Sequence, residues 1–535
     1  MTEANTETTT RAIDDTYHKI IVPLSEIYSL GGPDTFKHLE RRDDNKKNLV
    51  VLPKSVFNEL NYLSKQKQDY GALDTADFIT THESNISSTD NELTIYRLYE
   101  GLDLAVMHEQ ETSFKDLEKK IKTDFNQSPD RKLEFVTNDP FKNIELKNKG
   151  LNAKKSDFLL VSADIVNKGI ITTSNPDFMA KIFQNPEKGI MLEDINWRNY
   201  FDEDPFINQF IHLTGKDSSR YARITCDLIK KNGKIIDHEN VRIVPLQEDE
   251  YSRRLSVGNH QMNSVLGIHA NDMEQYLALQ YGLLNPDISL FFLTGTQGSG
   301  KTILSYAAAI DQMLWYDKLA KLARGTPESE NSFFKKLILL KPNNIMGGKE
   351  RDIGFLPGSM YEKLKPHLMP YVDSHNKTSL AKKFPFEELL KHPKFVNEYG
   401  GPRFDSKVEA SQKKDQFKIN GEAYLPADSE VIEIAYSGFF RGRSFEDTLI
   451  IVDEGENYSP YELKTIIERA GIGSKVVVLG DPFQVDNAKN TREINGLTGA
   501  IKQYLPMSYS SLIHLTGNYR STMSEDTKSW RVYSS

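Results

Sequence analysis

Between Gly295 and Thr302 the chain reads Gly-Thr-Gln-Gly-Ser-Gly-Lys-Thr. A glycine-rich stretch closed by a lysine and a hydroxyl residue is suited to holding polyphosphate. Backbone N–H groups must converge on a bulky anion, and glycine lets the chain come that close. Gly295, Thr296, Gln297, Gly298, Ser299 and Gly300 form the predicted cradle, and the helix that follows points its positive end at the phosphates. Lys301 can reach the β- and γ-phosphates, and the Thr302 hydroxyl can ligate Mg²⁺. A second stretch, Thr-Leu-Ile-Ile-Val-Asp-Glu at 448–454, is an apolar run ending in two carboxylates. There Asp453 would hold Mg²⁺, and Glu454 would polarise an attacking water. A third run, 475–486, ends in Gly-Asp-Pro-Phe-Gln, which places Asp481 and Gln484 to sense a γ-phosphate. Near the end, Asn518-Tyr519-Arg520-Ser521 offers an arginine for the transferring phosphoryl group, in cis or across a subunit interface. The bland alternative for the first stretch is a glycine turn with an accidental Lys-Thr. The strand, loop and helix order around it, followed by an acid-ended strand, argues against accident.

These residues need a parallel sheet to bring them together. Leu290–Thr294, Lys336–Leu340, Thr448–Val452 and Lys475–Leu479 read as buried strands, and Ile303–Trp315 as a helix. We therefore expect an α/β chain with a RecA-like domain over 266–535, carrying a polar insertion at about 371–429 that is helical at 385–391. Residues 1–16 are expected to be a disordered tail. Residues 17–190 read as an α/β domain, with strands at 20–22, 48–52 and 158–161 and helices at 54–65, 91–102 and 114–125. Residues 191–265 read as a β-rich connector. In it Tyr221–Ile229 and Val241–Pro245 flank a glycine turn, and Arg220, Arg223, Lys230, Lys231 and Lys234 give a basic face. That face suits RNA, or equally a solvated sheet edge guarded by lysines.

The chain has 535 residues, 38% hydrophobic, with 67 Lys and Arg against 76 Asp and Glu, a net charge of -9. The acidic balance argues against coating nucleic acid over the whole surface and leaves room for a local basic groove. No apolar run reaches the roughly 18 residues of a membrane span. The polar start is no Sec-type signal, and the single cysteine, Cys226, excludes an internal disulfide framework. A cytoplasmic setting is expected, though a secreted effector routed without a Sec signal would look the same.

Two resemblances follow from these residues. The stretch from Gly267 to about Ser521 resembles the PhoH family of ATPases. It does so through Gly295–Thr302, Ile353–Gly358, Phe440-Arg441-Gly442-Arg443-Ser444, Val452-Asp453-Glu454 and Gly480-Asp481-x-x-Gln484-x-Asp486. Gln275 looks like the glutamine that contacts adenine in helicase-type ATPases. Two departures stand out: Gly455-Glu456 replaces the usual Ala-Gln after the acid pair, and Lys341 stands where an Arg-Pro pair is common. Val-Val-Leu-Pro-x-x-Val-Phe-x-Glu-Leu at 50–60 and Leu-Val-Ser-Ala-Asp at 160–164 are similar to PIN-type nuclease signatures. That resemblance implies a Mg²⁺ or Mn²⁺ site using Glu59, Asp164 and, as a third carboxylate, Asp139. The family's first aspartate is missing: Ser25 aligns with it and Glu26 is one residue off. The domain is thus either an RNA-binding or assembly module without nuclease activity, or an active nuclease with Glu26 as substitute. The combined PIN-PhoH resemblance implies an ATP-dependent RNA helicase acting on single-stranded RNA, often as a hexameric homo-oligomer. A nucleotide-driven switch or assembly ATPase without RNA motor activity is the alternative, and a small-molecule kinase is a further one.

Overall fold

The computed structural model describes residues 17–520 and 523, apart from 42–45, 67–68, 83–84, 90–91, 110–112, 125–131, 216–218, 258–259, 323–333, 335, 343–359, 383–385, 387–417, 420–421, 424–431, 437–439 and 441. The expected tail 1–16, the Ile353–Gly358 motif, the helix at 385–391, Arg441 and Ser521 therefore lie outside the described residues or are covered only in part. The chain divides into two compact units. One holds residues 1–160 with 459–462, and the other holds 161–458 with 463–535.

The first unit is built on strands β1 (Tyr17–Pro23), β2 (Lys47–Leu52), β3 (Ile86–Thr89), β4 (Leu93–Tyr99), β5 (Leu102–Met107), β6 (Lys132–Val136) and β7 (Ala153–Lys154). They form one sheet in the order β3-β4-β5-β2-β1-β6-β7. β1, β2, β5, β6 and β7 run parallel, while β3 and β4 turn back antiparallel. β2 is apolar over four consecutive residues, as a strand covered on both faces must be. Helices α1 (Ser25–Gly31), α2 (Asp34–Leu39), α3 (Lys54–Gln66), α4 (Tyr70–Thr81), α5 (Phe114–Asp124) and α6 (Pro140–Asn148) complete the unit. Two sequence expectations fail here. The helix expected at 91–102 is β4 and the start of β5; antiparallel pairing with β3 and β5 decides for strand. The strand expected at 158–161 is a turn, because the sheet ends with β7 and Val161 bonds instead to Glu493.

The second unit opens with a five-stranded sheet in the order β8-β10-β11-β12-β9: β8 (Ile170–Thr173), β9 (Ile190–Met191), β10 (Phe210–Thr214), β11 (Ser219–Lys231) and β12 (Lys234–Pro245). Helix α7 (Pro176–Phe183) covers it through Phe178 and Ile182. The β-rich region thus draws in residues from 170 onward, earlier than the boundary at 190 read from sequence. β11 and β12 form a long hairpin whose Asn232-Gly233 turn has φ 50° and 72°, the left-handed pair that a two-residue turn requires. Short hairpins β13/β14 (Leu255–Val257, His260–Met262) and β17/β18 (Lys418–Ile419, Glu422–Ala423) lie further along, with helix α8 (Met273–Leu277).

The main sheet of this unit has six parallel strands in the order β19-β16-β20-β21-β15-β22. They are β15 (Leu290–Gly295), β16 (Lys336–Lys341), β19 (Ile432–Tyr436), β20 (Thr448–Val452), β21 (Lys475–Gly480) and β22 (Ser510–Leu515). β15, β20 and β21 are buried throughout, so hydrophobic burial on both faces fixes their register. Helices α9 (Lys301–Leu322) and α10 (Met360–Asn376) pack together on this sheet. The α10 residues Tyr371, Ser374 and His375 are buried, so the expected insertion does not begin at 371. No helix among the described residues is long and apolar enough to cross a membrane.

Candidate nucleotide site

Parallel pairing aligns the C-terminal ends of five strands on one edge. Gly295, Lys341, Asp453, Asp481 and Thr516 all fall there, where open α/β sheets bind ligands. β21 lies between the strand that feeds the glycine loop and the strand that ends in Asp453. Gly295, Gly298 and Gly300 adopt φ of 149°, 87° and 99°. A Cβ on Gly298 would sit 2.6 Å from Asn518 Oδ1, so the approach of this loop to the C-terminal segment requires glycine.

Lys301 Nζ donates to Gly295 O and to Thr296 O at 3.1 Å. Burial lowers its pKa, and Asp481, Glu456 and Asp453 pull the other way. Among the described residues, Thr296 Oγ1 and Ser299 Oγ are buried with no hydrogen-bond partner. Orphaned hydroxyls beside a cradle that a Cβ would fill fit a polyphosphate bound at this loop. A cavity of about 500 Å³ adjoins it, lined by Gln275, Gln297, Gly298, Gly300, Lys301, Thr302, Lys377 and Arg520 among others.

Asp453 is buried at the end of β20. Its N–H donates to Leu340 O at 3.0 Å, and its Oδ1 accepts from Glu454 N at 3.1 Å. Lys341 Nζ lies 2.7 Å from Asp453 Oδ2, and Tyr371 OH donates to the same oxygen at 3.1 Å. Burial works against the Asp453 charge, but Lys341 and these hydrogen bonds outweigh it and hold the carboxyl below the usual range. Burial likewise opposes the Lys341 charge, and Asp453 and Glu454 reverse that, so its pKa is raised. Glu454 sits 3.3 Å from Lys341, with a left-handed backbone at φ 56°. That conformation is uncommon outside glycine, and it turns the second carboxylate away from the strand direction.

Gln275 is buried and saturated by backbone. Its Nε2 donates to Ser299 O at 2.9 Å and its Oε1 accepts from Asn271 N at 2.9 Å, so it braces the glycine loop while lining the cavity. Gln484 is exposed and donates to Asp481 Oδ2 at 2.6 Å. Arg520 lines the same cavity as Lys301 within one chain. Tyr519 N donates to Gly298 O at 3.0 Å, which ties that segment to the loop.

Three residues of this edge were missed in the sequence. Lys341, in sequence only a departure from the motif, is the buried counter-ion of Asp453. Tyr371 fell inside the supposed insertion. Glu456 is buried, accepts Asp481 N–H at 2.9 Å, and its carboxyl is pushed by burial up to about 8. A carboxyl kept neutral there resembles the amide it replaces in the motif, and that replacement was the available signal.

The expected N-terminal carboxylates are divided between the two units. Asp139 caps α6, accepting from Phe141 N at 2.8 Å and Lys142 N at 3.2 Å. Asp164 lies on the 3₁₀ turn Ala163–Gly169 of the second unit, because the strand expected to present it is absent. Glu59 faces Lys142 at 3.7 Å. Much of the expected basic face is neutralised as well. Arg220 pairs with Glu248 and Lys230 with Asp287, while Arg223 stacks on Tyr281. Arg443 pairs with Glu433 and stacks on Phe445.

Sheet order, glycine cradle and paired acids define a P-loop domain. Residues 268–523 match the family model described as "PhoH-like protein", and this stretch is a PhoH-family domain. Protein PhoH2 of Bacillus subtilis is 29% identical over 261 residues, covering 49% of this chain and 47% of that protein. A PhoH-like protein of the same organism is 27% identical over 354 residues, covering 64% of this chain and 89% of its own. Protein PhoH2 of Mycolicibacterium smegmatis is 26% identical, covering 45% of this chain and 41% of its own. The chain spans about half the length of the PhoH2 relatives it matches.

Proposed function

We propose that the protein hydrolyses ATP and uses the cycle to remodel single-stranded RNA as a homo-oligomer, a hexameric ring being the form the resemblance implies. The observation that carries this reading is the convergence of Lys301, Thr302, Asp453, Glu454 and Arg520 on one strand edge beside a polyphosphate cradle. Lys301 would leave its carbonyl partners for the phosphates, and Thr302 with Asp453 would hold Mg²⁺, which supplies charge neutralisation at the β- and γ-oxygens. Lys341 and Tyr371 keep Asp453 ionised and oriented for that role. Glu454 would accept a hydrogen bond from the attacking water, and Arg520 would meet charge building on the phosphoryl oxygens in cis. Among the described residues there is one RecA-like core, and a motor needs two such cores facing each other, which supports oligomer formation.

RNA contact falls on the exposed tip of the β11/β12 hairpin, where Lys231 and Lys234 flank the turn. If so, RNA affinity falls steeply with salt, and Lys231→Ala with Lys234→Ala flattens the slope by about two. The second reading, a nucleotide-driven switch with no RNA motor, is favoured by the ion pairs that neutralise Arg220, Lys230 and Arg443. Salt-insensitive or absent RNA binding would select it. The N-terminal unit is read as an accessory module for RNA contact or assembly.

A further inference from the structure

Open α/β sheets take ligands where the strand order reverses, at the C-terminal edge. In the N-terminal unit that point lies between β1 and β6, since β2 and β5 extend to one side of β1 and β6 and β7 to the other. The two strand ends are tied by Leu24 N donating to Val136 O at 2.9 Å. Resemblance to PIN domains implies a divalent metal at this crevice.

The residues present do not fit one. Glu26 follows β1 on α1, and Glu59 lies on α3. Lys142, in the first turn of α6, stands between them, with Nζ 3.5 Å from Glu26 Oε2 and 3.7 Å from Glu59 Oε1. The other Glu26 oxygen, Oε1, accepts from Thr137 Oγ1. Asp139, at the same edge, spends its Oδ1 on the N-cap of α6. Among the described residues no group of three or more His, Cys, Asp or Glu is placed to hold a metal ion. Mg²⁺ and Mn²⁺ need oxygen ligands on several sides at roughly 2.0–2.2 Å, and an ammonium in their midst opposes the ion by charge and by volume.

We propose that Lys142 takes the place of the divalent metal in this crevice, so that its ammonium, not a catalytic ion, bridges the carboxylates of Glu26 and Glu59. The edge keeps the geometry of a ligand site with an internal cation built into it. The unit holds its fold without metal, and it carries a latent metal site that loss of one side chain would open. This inference concerns the N-terminal unit alone and does not depend on the ATP reading.

The test uses the full chain and Mn²⁺ as probe, with tightly bound ions counted from the loss of the free-Mn²⁺ electron paramagnetic resonance signal. Wild type and the Glu26→Gln/Glu59→Gln variant bind Mn²⁺ equally, because neither carboxylate contributes. Lys142→Asp, which adds a third carboxylate, gains about one tightly bound Mn²⁺ per chain. The same ion raises its unfolding temperature by about 5 °C more than wild type. Lys142→Ala gains a weaker site, because two carboxylates offset less of the cost of dehydrating the ion than three. Adding Glu26→Gln and Glu59→Gln to either Lys142 variant removes the gain. The proposal is overturned if wild type loses a bound Mn²⁺ on Glu26→Gln/Glu59→Gln. It is equally overturned if neither Lys142 variant gains one.

Discussion

At the end of β16, Lys341 Nζ lies 2.7 Å from Asp453, and its side chain is 8% exposed. At the start of α6, Lys142 Nζ lies 3.5 Å from Glu26, and its side chain is 33% exposed. Both lysines stand at the C-terminal edge of a parallel sheet, and each faces two carboxylates from neighbouring elements. Depth separates them. In the buried cluster, charges act through a low dielectric, so Lys341 fixes the ionisation of Asp453 while one Asp453 oxygen stays away from it. In the half-exposed cluster, water screens the pairs, and the lysine's main effect is to fill the space between Glu26 and Glu59. The same residue types thus hold a buried carboxylate ionised in one unit and fill the space between two half-exposed carboxylates in the other.

The largest effect is expected at the cradle. Lys301→Ala lowers ATP turnover by about 10²–10³-fold while leaving the fold intact, checked by phosphate release against circular dichroism. Equal turnover in this variant would remove the functional half of the comparison. Next comes Lys341→Met, which strands the Asp453 carboxyl in the core. It lowers stability to urea by about 3–5 kcal/mol, and turnover falls with it.

Glu456→Gln is expected to act through pH. Burial raises the Glu456 carboxyl to about 8 in the folded state, while the unfolded group stays near the ordinary glutamate value. The unfolded chain therefore sheds this proton first, and its contribution to stability is full below about pH 4 and drains away as pH rises toward 8. Lys475 behaves in reverse. Burial lowers it to about 7, and it donates to Gly282 O, Leu283 O and Asn285 O at 3.0, 2.9 and 2.7 Å. Its contribution is present at high pH and lost as pH falls through 7. In urea titrations, wild-type stability then falls between pH 5 and 8 by up to about 1.4 kcal/mol per unit relative to Glu456→Gln. A pH-independent difference would show that Glu456 is already ionised. The smallest effect belongs to Lys142→Met, which changes stability by about 0.5 kcal/mol or less and leaves ATP turnover unchanged. A loss comparable to Lys341→Met would erase the contrast between exposed and buried clusters.

The six-stranded parallel sheet was readable because each strand is a short apolar run ending in chemistry: Leu290–Gly295, Thr448–Val452 and Lys475–Gly480 announce themselves. The β11/β12 hairpin was legible through Asn232-Gly233. The misses share a cause. Tyr371 and Lys341 matter through contacts made across the sheet edge, 82 and 112 positions from Asp453, and no local pattern carries such a partnership. Leu93–Tyr99 has apolar residues at spacings that suit helix and strand alike, and only the neighbouring β5 decides. Asp164 was placed by a strand that Phe158–Val161 was apolar enough to suggest but that the sheet, already closed by β7, does not contain.

The most direct measurement is phosphate release from ATP by the full chain and by Lys301→Ala, each with and without single-stranded RNA. The account predicts turnover in the wild-type protein that RNA raises several-fold and that Lys301→Ala loses in both conditions. Phosphate release that survives Lys301→Ala would contradict the assignment of the cradle, and wild-type turnover indifferent to RNA would contradict the motor reading and leave the nucleotide-driven switch.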